Sequence, residues 1–536
     1  MSSVCLAAGT VIPDVASRAA TQIQANVDGD ALGRSVSFVG DINGDGRPDM
    51  LVGVSSDNGS SLGSETYVVF GTAAGGLPAS INVSQLNGSN GFALSMAQAG
   101  SRLGYSVAAL GDINNDGRAD FAIGAPFADA GSSPAVRHDA GKVFVVFGRA
   151  SSNPFPAQLD LDNLNGSDGF VIEGPQDDDR LGHSVASAGD FNGDGRPDLL
   201  VGSLNAVAGA SNSAWIILGR STAFPAIVAP GSLAAGAQGF ELDANAGQDF
   251  SSAVAGIGDM DGDGKDEVAI GAPAAVTSNS NAGRVYVVHG RAVSAVPAEN
   301  VLALDAPATP AVQKLDGEGP GYFVGASLAG LGDINGDSIP DFVAGMPGRG
   351  GYVGGAWIVF GSPSLPSDTL NAMNGRGEAV NVLDYGGTHN ANIGTDVAGG
   401  QDFDGDGIND IVLAAPGGYL RSGETRNGAV YVIPGRDAGT PWPAIFDLYS
   451  LPTGLRLDGV TDVGPANAAP LFAFPSMSVA LGPDSNGDGA VDLLIGSPLG
   501  QASTSDTTLG PWQGRAWLVS SAAVSDTIFA DGFEGP

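Results

Sequence analysis

Residues 111–126 read Gly111-Asp112-Ile113-Asn114-Asn115-Asp116-Gly117-Arg118-Ala119-Asp120-Phe121-Ala122-Ile123-Gly124-Ala125-Pro126. Acids or their amides stand at positions 1, 3, 5 and 9 of a tight loop that runs straight into an apolar stretch. The same nine-residue pattern starts again at Asp41, Asp190, Asp259, Asp333, Asp402 and Asp484. An internal period of this length, sustained from near one end of the chain to the other, means stacked copies of one structural unit sharing a continuous core. Seven copies predict seven units.

Each copy offers hard oxygen donors. The sets are Asp41, Asn43, Asp45, Asp49; Asp112, Asn114, Asp116, Asp120; Asp190, Asn192, Asp194, Asp198; and Asp259, Asp261, Asp263, Glu267. They continue with Asp333, Asn335, Asp337, Asp341; Asp402, Asp404, Asp406, Asp410; and Asp484, Asn486, Asp488, Asp492. With a backbone carbonyl near position 7, such a set suits the six to eight oxygen ligands of calcium better than the rigid octahedron of magnesium. Carboxylates crowded within a few ångströms repel unless a cation or protons neutralise them. Up to seven structural calcium ions are expected. An EF-hand needs a carboxylate at position 12, where this chain has Val52, Ile123, Val201, Ile270, Ala344, Leu413 and Ile495. The fifth copy departs by carrying Ser338 where the others have Gly, so its turn is expected to be strained and its site weakest.

Four strand-like segments flank each loop. Strand a precedes it and is rich in Ser, Ala, Gly and Val, as in Ser106 to Gly111, which fits a strand crowded against a central axis. Strand b follows the loop. Strand c carries one aromatic at a fixed register, Tyr67, Phe144, Trp215, Tyr286, Trp357, Tyr431 and Trp517, as a wedge-shaped unit needs to fill its outer contact with a neighbour. Strand d is marked by Gly-Phe at Gly91-Phe92, Gly169-Phe170 and Gly239-Phe240. Four antiparallel strands per unit and seven units predict an all-β fold, a seven-bladed β-propeller. No strand d follows Ser520, whereas Thr21 to Val27 resembles one, so the N-terminal strand is expected to complete the last blade. The division expected is an extension over 1–20, the propeller over 21–520 and a tail over 521–536.

The formal charge is −36, with 58 acidic against 22 basic side chains, which excludes nucleic acid and anionic lipid as natural partners. No apolar run is long enough to span a membrane as a helix. Cys5 is the lone cysteine, so internal disulfides and thiolate metal sites are excluded. No signal peptide is legible in Met1 to Pro13, so an exported protein would have lost its leader or begin internally.

The run Leu103-Gly104-Tyr105-Ser106-Val107, the loop from Gly111 to Gly117 and the turn Gly124-Ala125-Pro126 together resemble the FG-GAP repeat of the integrin α-chain N-terminal propeller. The resemblance covers roughly residues 21 to 520. It implies calcium in blade hairpins and partner or ligand binding from the opposite face, in a secreted or cell-surface setting. FG-GAP repeats also occur in bacterial secreted proteins, in lectins and beside the catalytic domains of phospholipases. The tail Ile528 to Glu534 resembles a short C-terminal signature of exported bacterial proteins.

Strand alternation puts the a-to-b and c-to-d links on one face and the b-to-c and d-to-a links on the other. The second face has the longer, more varied loops, among them Pro126 to Gly141 and Ala274 to Gly283, and carries Arg102, Arg180, Tyr322, His389, Tyr419, Arg421 and Trp512. The histidines His138, His183, His289 and His389 lie in different repeats without metal-binding spacing, and His289 reads as strand packing. No residue is assigned a catalytic or cofactor-binding role. The leading reading is an adhesion or ligand-binding module for an extracellular protein or glycan. The alternative is a secreted polysaccharide-active enzyme, a lyase or hydrolase, at the mouth of the ring. A structural part of a larger surface assembly stands third.

Overall fold

The structure is a computed structural model. It describes residues 10–12, 21–25, 31–54, 65–73, 76–132, 134–205, 212–230, 233, 238–244, 249–277, 279–292, 301–306, 312–384, 391–417, 428–451, 453–458, 477–498 and 514–522. His389, Tyr419, Arg421, Trp512, Cys5 and the tail Ile528 to Glu534 lie outside them.

The alternation of apolar residues makes strands, and the strands assemble into seven sheets. In the second blade strand a is Ser106–Gly111, b is Asp120–Ala125, c is Lys142–Val146 and d is Gly169–Glu173, all antiparallel to their neighbours. Every blade has these expected four strands, and each gains a fifth. The c-to-d link of one blade lays a short parallel strand on the outer edge of the blade before it. Ile227–Val228, from the third blade, pairs in this way with Val171 and Ile172 of the second. The link thereby covers an edge that would otherwise expose unpaired backbone groups.

The chain ends close the ring as expected, and more extensively. Thr21–Gln24 pairs antiparallel with Arg515–Ser520 as strand d of the seventh blade. Ahead of it, Thr10–Ile12 runs parallel to Leu455–Asp458 and supplies the fifth strand of the sixth blade. Consecutive first strands touch all the way round, the seventh against the first included.

Seven apolar layers form the core, each shared by two blades. One joins Val39, Leu51 and Phe92 of the first blade to Phe121, Phe144 and Val146 of the second, and another joins Ile23 and Leu518 of the seventh to Val36, Met50 and Tyr67 of the first. The strand-c aromatics sit inside these layers, between 0% exposed at Tyr286 and 7% at Tyr67. Their packing role is therefore as expected.

The blades are also laced near the axis. Ser106 Oγ donates to the Gly182 carbonyl at 2.8 Å, and Ser35, Ser184, Ser327 and Ser478 make the equivalent bond to the next blade. A Cβ on Gly124 would stand 2.1 Å from that same Gly182 oxygen, and Gly182 itself has a φ of +85°. The glycine of strand b is thus a site of close backbone approach between blades.

Ile23 lies near one end of the chain but is buried against the first and seventh blades. Ile23→Ala should therefore lower stability by about 2–4 kcal/mol in denaturant unfolding, whereas a change below about 0.5 kcal/mol would mark a dispensable arm.

Candidate functional site

The acidic loops are built by their own backbone. In the first, Asp41 Oδ1 accepts from the amides of Gly44 and Asp45 at 2.8 and 3.1 Å, and Oδ2 accepts from Gly46 at 2.8 Å. Asn43 Oδ1 accepts from the Asp45 amide at 2.9 Å, and Asp45 Oδ1 from that of Arg47 at 2.9 Å. The bond from position 6 to the first carboxylate recurs in all seven copies, between 2.7 and 2.9 Å. The donor oxygens are thus oriented inward by local turns rather than by distant contacts.

Position 9 differs from the rest. Asp49, Asp120, Asp198, Glu267, Asp341, Asp410 and Asp492 are all 0% exposed. Asp49 Oδ2 accepts from the Ile42 amide at 3.0 Å and Oδ1 from the Gly71 amide at 2.9 Å, so one carboxylate ties the loop to the end of strand c. Gly148, Gly219, Gly361 and Gly435 serve Asp120, Asp198, Asp341 and Asp410 in the same way. In the seventh blade Ser485 and Asn486 supply the donors to Asp492.

Burial pushes the Asp49 carboxyl up to about 8, with Asp45 and Asp41 adding repulsion and the two amides pulling it down. Asp120, Asp198, Asp341 and Asp410 reach about 8 and Asp492 about 7, burial leading in each. Oxygens of Asp259, Asp261 and Asp263 lie within 4.8 Å of one another, as do those of Asp402, Asp404 and Asp410. A hard divalent cation fits this chemistry: oriented oxygen donors, one of them buried without a cationic side chain in six copies.

The fourth loop is different. His289 follows strand c, and its Nδ1 lies 2.6 Å from Asp261 Oδ2 and 3.5 Å from Glu267 Oε1. Glu267 first, with further help from Gln313 and Asp261, pushes the imidazole up to about 9. Packing was the sequence reading for His289, and the structure instead brings it to two of the candidate ligands. The signal available was its register, directly before the glycine that follows strand c.

The opposite face holds a cavity of about 1170 Å³, lined by the leading halves of strand a from all seven blades. No residue of the acidic loops lines it. Arg34 stacks 4.3 Å over the Tyr105 ring, and Tyr105 Oη lies 3.3 Å from His183 Nε2. Burial, and then Arg34, hold His183 down at about 4, so it is neutral at physiological pH. Asp396 stands at the register of the lacing serines, accepts from the Val479 amide at 2.9 Å and is raised by burial to about 6. Sequence reasoning missed this group because its members are distant along the chain and meet only at the axis.

Of the loop residues expected on that face, Arg102 and Arg180 both stack on the Phe127 ring, at 4.1 and 4.7 Å. Tyr322 packs beneath Arg349 at 5.7 Å. His138 is exposed and pairs with Asp129 at 3.3 Å.

The FG-GAP repeat family matches residues 32–69, 103–146, 181–217, 250–288 and 393–433, which are the first four blades and the sixth. Integrin alpha-V of Gallus gallus is 30% identical over 250 residues, 46% of this chain and 20% of that protein. Phosphatidylinositol-glycan-specific phospholipase D of Rattus norvegicus is 41% identical over 102 residues, 19% of this chain and 11% of the enzyme. Integrin alpha-7 of Homo sapiens is 34% identical over 169 residues, 31% of this chain and 12% of that protein. The chain thus spans no more than a fifth of the length of these relatives. Five of its blades carry FG-GAP repeats, and the chain is similar to integrin α chains.

Two outcomes are expected of the loops. The ninth-position acids have folded values near 8 against an ordinary 3.8, so between these limits the unfolded chain releases protons that the folded chain keeps. The cation-free protein should lose melting temperature as pH rises from 4 to 8, and saturating calcium should flatten that slope. A flat profile without cation would contradict the burial argument. Ser338 takes the left-handed φ of +69° that Gly46 takes at +85°. Ser338→Gly should then stabilise the protein by about 1 kcal/mol in denaturant unfolding, and a loss would contradict the strain.

Proposed function

We propose that this chain is a calcium-binding extracellular recognition module whose ligand, a protein or a glycan, docks at the mouth opposite the acidic loops. The observation that carries this reading is the separation of the two faces. Loop acids lie on one side, and on the other a large cavity presents a cation, a phenol and a neutral imidazole together. Concave sites with a few convergent polar groups are where ligands bind. The likeness to integrin α chains supports adhesion as the biological class. Seven calcium ions would act as fasteners that keep each a-to-b turn folded, leaving the opposite loops free to vary.

The same group favours a second reading. Arg34, Tyr105 and His183 could neutralise a uronate carboxylate and move a proton at its ring, as a polysaccharide lyase requires.

A glycan array and an array of extracellular matrix proteins, each probed with the full chain in calcium, separates the readings. Retention without turnover, reduced about tenfold or more by Arg34→Ala, is expected. Formation of unsaturated oligosaccharides would transfer the assignment to the lyase, and silence on both arrays would overturn the mouth as a binding site.

A further inference from the structure

We infer that the fourth acidic loop is a transition-metal site, selective for a borderline divalent ion such as Zn²⁺ or Co²⁺ over calcium. The inference rests on the reading that the acidic loops hold cations, and it concerns what this one loop does differently. Three departures coincide in this copy. Position 9 is Glu267 where the other six have Asp, position 3 is Asp261 where five others have Asn, and His289 stands where the neighbouring third and fifth blades have Leu218 and Phe360.

The imidazole is presented as a ligand is presented. Gln313 Oε1 lies 2.6 Å from His289 Nε2 and can only accept, so Nε2 carries the hydrogen and Nδ1 faces the loop. There Nδ1 meets Asp261 Oδ2 at 2.6 Å and Glu267 Oε1 at 3.5 Å, and neither carboxylate oxygen can donate. Either a second ring proton, which makes His289 an imidazolium, or a bound cation has to sit among these three atoms, which lie within 4.8 Å of one another. Asp261 also belongs to the cluster with Asp259 and Asp263, so the negative charge gathered there exceeds what one proton offsets. Glu267 keeps the two amide contacts that Asp makes in other blades, Met260 at 2.6 Å and Gly290 at 3.2 Å, while its Oε1 also faces the ring.

Nitrogen is a poor donor for calcium and a good one for zinc, cobalt and copper. Holding the second ring nitrogen on a fixed acceptor is the outer-shell arrangement that orients a metal-bound histidine. His289 is 14% exposed at its side chain, which leaves an entry path for the ion.

The test is titration of the full chain with Co²⁺ in saturating calcium, read by visible absorption and by proton NMR. One equivalent should bind and shift the Nε2–H resonance far outside the diamagnetic range. His289→Phe and His289→Gln should each weaken that equivalent about 100-fold and Gln313→Ala about tenfold, with calcium uptake by the other loops and the melting curve retained. Calcium uptake at the other loops with cobalt binding that ignores both His289 variants would overturn the inference while leaving the calcium reading intact. Absence of cobalt binding with calcium uptake intact would likewise overturn the inference alone, and failure of both ions to bind would overturn both.

Discussion

A carboxylate taken out of water must find donors or a counter-charge, and each blade of this ring sinks one completely. Asp49 and its six equivalents supply the fixed point from which a blade is built. Two amides from separate segments reach each of them in most copies, so the a-to-b turn and the end of strand c are joined through one side chain. Amides alone leave the group raised to about 8 at Asp49, which is a carboxylate held reluctantly. A cation at the rim, held by positions 1, 3 and 5, would relieve that tension and stabilise the native state by mass action.

Lateral order follows from a second close contact. With a Cβ on Gly124 the Gly182 carbonyl of the next blade could not approach, and the serine that donates to it would lose its partner. Where the serine is replaced, the structure changes its chemistry at the mouth. Asp396 takes that register in the sixth blade and places a half-buried acid in the wall of the cavity that also holds Arg34 and His183. In the fourth blade Ser251 has the left-handed φ of +63° that glycines take elsewhere, and its hydroxyl donates to the Ser203 carbonyl at 2.7 Å. Departures from the repeat are therefore informative about individual blades.

Much of this was legible in the chain. The period set the number of blades, the strand-c aromatics set the register, and Thr21 announced the strand that closes the ring. The fifth strands were not legible, because segments as short as Ile227–Val228 carry no periodicity and are defined only by the edge they cover. Thr10–Ile12 is such a segment, and it docks on a blade more than four hundred residues away. The mouth was invisible for a related reason, since Arg34, Tyr105 and His183 belong to different repeats and meet only after closure. His289 escaped because one strand position was read for its apolar neighbours, while its partners lie across the turn at Asp261 and Glu267.

The ring thus divides its labour between faces: acidic turns that hold blades together, and an axial mouth whose residues vary from copy to copy. That division depends on the loops being cation sites. The most direct measurement is calcium stoichiometry by equilibrium dialysis, paired with thermal unfolding before and after treatment with a chelator. Several bound ions, up to one per blade, and a melting temperature that falls by more than about ten degrees when they are stripped are the expected results. A chain that retains no calcium and melts identically with and without chelator would contradict the account.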